Sequence, residues 1–255
     1  MRTLGPQPLV AQTPRGLNLE TSTALTTLLS QGDAHHDALQ PLEAWESYAQ
    51  AQEEDPESYS ALWKMAREGV FLAMLAEGDE AKRWMEEAEE AGRKTVALEP
   101  EGTDGLHWLG AALGLQALNG GPRTRVSLAR EIRVISELLV ETDSLYAGGH
   151  HLLGHWHAEA SRVTGFTRFL ARRVLGASEL EEASWEAAER HLRAATQLAP
   201  DGLIHHLELG KVFMDLERLE EARESFRQVL ERPAVRPTDP LHKQEAQSLL
   251  QALGS

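Results

Sequence analysis

The chain has 255 residues, carries a formal charge of −15 and contains no cysteine. The charge disfavours broad nucleic-acid binding, because phosphate would be repelled, and the missing thiols exclude disulfides and thiolate metal sites. Ala, Leu, Glu and Arg dominate, aromatics make up 5%, and the composition favours helices throughout.

Residues 1–20 combine Pro and Gly with little apolar periodicity and read as a flexible N-terminal arm. They lack the 7–15-residue apolar run of a signal peptide, although "PLVAQ" resembles the tail of one. A cytoplasmic location is expected as the sequence stands, and export if a leader lies upstream. No apolar stretch reaches the roughly 18 residues of a membrane span.

From residue 21 onward amphipathic helices follow in pairs. Pro56, Pro100 and Pro200 each close an alanine-rich helix: "EAWESYAQAQEEDP", "AEEAGRKTVALEP" and "WEAAERHLRAATQLAP". Proline stops each helix because it cannot continue the hydrogen-bond ladder. Small residues mark the places where two helices approach. Gly32 faces the segment of Ala44, Tyr48 and Ala51; Ala188, Leu192 and Ala195 repeat the slots; Gly210, Phe213, Ala222 and Phe226 repeat them again. About five pairs result, roughly 22–56, 57–100, 103–143, 147–200 and 203–234, with a capping helix near 240–253. One such pair cannot bury its own apolar face, so the pairs must stack. Residues 21–255 read as a single domain, with an insertion at 162–183 inside the fourth pair.

This pattern resembles the tetratricopeptide repeat, and the expected fold is an all-α, right-handed superhelical solenoid. Three segments narrow the likeness: "ALWKMAREG" (61–69), "DGLHWLGAALG" (104–114) and "HHLLGHWHAEAS" (150–161). Over residues 40–250 the chain resembles the regulator of microtubule dynamics family, with His155 where the family motif carries Arg. The Ala, Leu and Glu richness suggests a bacterial-type member. The resemblance implies a tetratricopeptide-type fold. It also brings functions found in eukaryotic branches: association with microtubules and mitochondria, and in one branch phospholipid binding at organelle contacts.

First helices of stacked pairs line the concave side. With Gly110, Gly154 and Gly210 in one register and Ala66 in the second unit, Trp63, Arg67, His107, His151, His155 and Lys211 share one groove. His151 and His155 lie four apart on one stripe, and His150 and His157 form a second pair beside it. Three readings stay open. The histidines can be hydrogen-bonded structural residues. They can help Arg67 and Lys211 recognise an anion. They can ligate metal, although two ligands are too few for zinc and H-L-L-G-H is no metalloprotease motif. No metal and no cofactor is expected.

In the insertion, Phe166, Arg168, Phe169, Arg172 and Arg173 interleave aromatic and basic side chains. Such a helix can lie on an anionic membrane or close over a lipid, or pack on the acidic solenoid. No nucleophile elbow, P-loop or dinucleotide glycine pattern is present, so no enzyme is expected. The leading expectation is a scaffold that holds a peptide or protein segment in the groove. The alternative is phospholipid or fatty-acid binding. A deep apolar floor favours lipid; a shallow polar floor favours peptide.

Overall fold

A computed structural model describes residues 19–164, 173 and 178–254. Among them are eleven α-helices and no strand. In chain order these are α1 (Leu19–Asp37), α2 (Pro41–Glu54), α3 (Tyr59–Leu75), α4 (Gly78–Leu98), α5 (Thr103–Asn119), α6 (Pro122–Thr142), α7 (Ala147–Arg162), α8 (Trp185–Leu198), α9 (Leu203–Asp215), α10 (Leu219–Glu231) and α11 (Asp239–Gly254). Each odd helix from α1 to α9 packs against the even helix after it, and α11 lies against α9 and α10. The chain is thus an all-α solenoid of five pairs with a terminal helix.

Local chemistry sets the helix ends. Ser58 and Ser184 accept the backbone N–H groups of Ala61 and Ala187, capping α3 and α8. Pro41 and Pro122 open α2 and α6, where a missing N–H costs nothing. Between units one turn recurs: Ser58 N–H donates to Asp55 O, Gly102 to Glu99 O, Tyr146 to Asp143 O and Gly202 to Ala199 O. Three of these turns carry the prolines noted above. The fourth has none; there the Asp143 carboxylate accepts the Leu145 N–H at 2.9 Å and holds the turn instead.

The small residues act as spacers. A Cβ on Gly69 would come within 3.0 Å of the Ala88 Cβ, and one on Gly92 within 3.0 Å of the Leu109 Cα. A Cβ on Gly154 would come within 3.0 Å of the Leu192 backbone nitrogen. Large side chains fill the spaces alongside: Tyr48, Phe213, Phe226, Leu113, Leu139 and Leu192 are fully buried, each worth about 1.5–3 kcal/mol for Leu- and Phe-sized groups. Ala66, Gly110, Gly154 and Gly210 each stand eight residues past the N-cap of their helix, which puts α3, α5, α7 and α9 in one register.

Candidate binding groove

The register places Trp63, His107 and His151 at one helical position, and Arg67, His155 and Lys211 one turn further on. Their partners divide them into two groups.

At the α3 end the charges are already matched. Arg67 donates through Nε to Glu68 Oε1 at 2.6 Å and through a terminal nitrogen to the Tyr48 hydroxyl at 3.2 Å. That hydroxyl donates to Asp33, whose carboxylate also takes Lys64 Nζ at 2.6 and 2.8 Å. Glu68 is fully buried; His36 Nδ1 lies 2.8 Å from its Oε1, off the line of a good hydrogen bond. Trp63 flanks both cations, 5.6 Å from Lys64 Nζ and 5.1 Å from the Arg67 guanidinium. Burial and the bond to Asp33 push the Tyr48 phenol well above its usual pKa.

At the α7–α9 end histidines predominate. His151 Nδ1 lies 3.1 Å from His205 Nδ1, so one ring donates and the other accepts. Burial lowers the His151 pKa to about 3 and that of His205 well below 6.5; both rings are neutral near pH 7. His155 behaves oppositely. Burial alone would lower its pKa, but Glu208, with Oε2 at 3.3 Å, raises it. Glu208 is 5% exposed and also takes Lys211 at 2.8 Å. Burial opposes its ionisation, but His155 and Lys211 hold its pKa far below the usual carboxylate range. Lys211 reaches Glu245 on α11 at 2.7 Å as well. Arg67 and Lys211, the two cations expected to meet an anion, are therefore both paired within the protein.

His107 lies between these ends. Its ring stands 4.7 Å from Trp108 and 5.4 Å from Tyr146, centre to centre. Burial lowers its pKa to about 4, and its Nδ1 is buried without a partner. Gly148 makes room for it, since a Cβ there would overlap the imidazole.

His150 and His157 turn towards α8 rather than the groove. His150 Nε2 lies 3.0 Å from the Ser144 carbonyl and so donates its proton there. Its Nδ1 then accepts from His191 Nδ1, 3.0 Å away, and His191 Nε2 faces Arg190 at 3.4 Å. His157 stacks on His191 at 6.0 Å. Burial lowers the pKa of His191 to about 4. His157 Nδ1 is buried without a partner among the described residues. Among the described residues no three His, Asp or Glu side chains form a metal-binding group.

Of the insertion residues, Phe166, Arg168, Phe169 and Arg172 lie outside the described residues; Arg173 is helical and exposed. No helix among the described residues is long and apolar enough to cross a membrane. A surface hollow of about 430 Å³ opens on the α4–α5 turn at Glu99–Gly102 and includes none of the groove side chains.

The sequence reading did not find His205, Glu208 or Tyr146. Glu208 left a trace, standing three residues before Lys211 in "LELGK". His205 stands in "HH" at the start of α9, and nothing in its spacing ties it to His151.

Stacked helix pairs in one register, with polar side chains of the first helices gathered on one side, define a tetratricopeptide-type repeat protein. The chain belongs to the family described as regulator of microtubule dynamics protein 1-3, whose sequence profile matches residues 28–254. No curated protein matches it in pairwise sequence comparison. A solved thermophilic TPR protein of Thermus thermophilus is similar in fold, with a TM-score of 0.64 and 20% identity over 89% of this chain and 99% of that one. Pseudomonas aeruginosa pilF is similar with a TM-score of 0.53 and 13% identity, over 92% of this chain and 90% of that one.

Proposed function

We propose that this protein is a non-catalytic scaffold that holds a segment of another protein across α3, α5, α7 and α9. The observation that carries this reading is the polar floor of the groove. Trp63, His107, His151, His155 and Lys211 are all partly exposed there, alongside Tyr146. Such a floor suits the alternating amides and side chains of a peptide better than acyl chains, which need an apolar enclosure. Catalysis is disfavoured because Glu208, the buried carboxylate beside the groove histidines, is occupied by two cations and held ionised, so it has no proton to trade near neutral pH.

The test begins with random twelve-residue peptides displayed against the purified protein, alongside native mass spectrometry of the same sample. The expected result is a set of peptides that bind the wild type and lose at least ten-fold in affinity on Trp63→Ala or His151→Ala, with both variants folded by circular dichroism. Stoichiometric phospholipid or fatty acid in the native mass, or a selection that enriches nothing, would overturn the reading.

A further inference from the structure

Side-chain bridges join α7 to α9 at three levels of the groove wall. At the start of the helices His151 Nδ1 lies 3.1 Å from His205 Nδ1. At their end Arg162, the last residue of α7, meets Asp215, the last residue of α9, at 2.7 Å. Between them stands His155, with a carboxylate at each ring nitrogen. Glu208 Oε2 on α9 is 3.3 Å from Nδ1, and Glu159 Oε1 on α7 is 3.8 Å from Nε2. The contacts link into one chain of ion pairs. It runs from Asp215 through Arg162 and Glu159 to His155, then through Glu208 and Lys211 to Glu245 on α11.

Charges alternate along this chain only while His155 is protonated. An imidazolium donates from both nitrogens. A neutral ring donates from one and turns a lone pair towards the other carboxylate. The two flanking bridges lack this choice: Arg162 keeps its charge, and burial holds His151 and His205 neutral. The surroundings of His155 leave its two carboxylates in control. On α7 the neutral His151 ring lies 6.1 Å away, centre to centre. On α9 Lys211 takes the other oxygen of Glu208, Oε1, at 2.8 Å. On α11 Glu245 takes Lys211 at 2.7 Å, and burial lowers the pKa of His242. On α5 the equivalent position is Ala111. The His155 side chain is 29% exposed, so water can deliver and remove its proton.

We propose that His155 is a proton-operated clasp between the fourth and fifth helix pairs: its imidazolium draws Glu159 of α7 and Glu208 of α9 together, and loss of the proton loosens α9–α11 from α7. Both helices line the groove, so the clasp sets how firmly that wall is held. The two carboxylates raise the His155 pKa. The clasp is therefore closed below the ordinary value near 6.5 and opens as pH rises through the raised value. His107, His151, His157, His191, His205, His206 and His242 have lowered pKa values and stay neutral over that range. The clasp acts on the groove assigned above, yet it is measured without a ligand, so its failure would leave the peptide reading standing.

The test is hydrogen exchange followed by mass spectrometry on the full chain from about pH 6.5 to 8.5, with rates corrected for the intrinsic effect of pH. The amides of α4, which carries no histidine, serve as the internal reference. In the wild type, protection of α9 and α11 relative to α4 is expected to fall as pH rises, by about ten-fold for each pH unit by which the folded His155 pKa exceeds 6.5. His155→Arg keeps its charge and should hold the high protection throughout. His155→Gln is never charged and should show the low protection throughout. A constant ratio in the wild type would overturn the clasp, and so would a fall that survives unchanged in either variant. The wild-type titration decides the matter even if a variant fails to fold.

Discussion

The two ends of the groove satisfy their buried polar groups by different chemistry. At the α1–α3 end Asp33, Tyr48, Lys64, Arg67 and Glu68 form a chain of permanent charges joined by a phenol. At the α7–α9 end the same task falls to His151, His205 and His155 around the Glu208–Lys211 pair. Arg and Lys keep their charge at any physiological pH, so this chain of pairs does not itself titrate there; one imidazole, His36, stands beside it, 2.8 Å from Glu68. Imidazoles change charge near pH 6.5 unless their surroundings prevent it. Burial holds His151 and His205 neutral, whereas Glu208 favours the charged form of His155. One fold thus contains a fixed end and a titratable end.

The contrast can be broken most strongly at Glu208. Glu208→Ala leaves Lys211 and His155 without their buried counter-charge, and breaking such a pair costs about 3–5 kcal/mol. Urea denaturation should show that loss, and the His155 pKa should fall because its chief raising influence has gone. Acid should act next. His107, His151 and His205 have depressed folded pKa values. Above pH ~6.5 they are neutral in both states and add no pH dependence. Below it the unfolded chain takes up protons that the folded rings refuse, so stability falls with pH towards their folded values. His155 works the other way, since its raised pKa adds stability below the unfolded value and loses it as pH rises through the folded one. His157, His191, His206 and His242 are depressed as well, so the lowered rings outweigh His155 and stability should fall by several kcal/mol from pH 7 to pH 5. In hydrogen exchange the α7 and α9 amides should lose protection before those of α3.

Gly148→Ala sharpens the comparison at the middle of the groove. The added methyl overlaps the His107 ring, and overpacking of this kind costs about 1–3 kcal/mol. The double variant with His107→Ala should recover most of that loss in urea denaturation, because the clash is then gone. Tyr48→Phe should cost least, about 1 kcal/mol by thermal unfolding. It removes the link between Asp33 and Arg67 but leaves the direct pairs Lys64–Asp33 and Arg67–Glu68 in place.

Much of the fold was legible because close helix crossings demand small residues at fixed spacing. Gly110, Gly154 and Gly210 fixed the register, and with it the placing of His107, His151, His155 and Lys211 on first helices. The prolines marked three inter-unit turns; the fourth, placed between residues 143 and 147 by the repeat spacing, has no proline because the Asp143 carboxylate does there what proline does elsewhere. The commitments of the charged groups were not legible. Arg67 pairs with its own chain neighbour Glu68, although adjacent helical residues do not ordinarily face each other. Lys211 reaches two carboxylates on two helices, and only the packing of α11 onto α9 brings Glu245 near.

The most direct test of the titratable end is an NMR pH titration of the histidine ring resonances, assigned with single His→Gln variants. The account predicts that His151 stays neutral down to about pH 3 while His155 titrates above the ordinary value near 6.5. Parallel titration of both rings near pH 6.5 would mean that neither is held by its surroundings, and would contradict the division of the groove into a fixed and a titratable end.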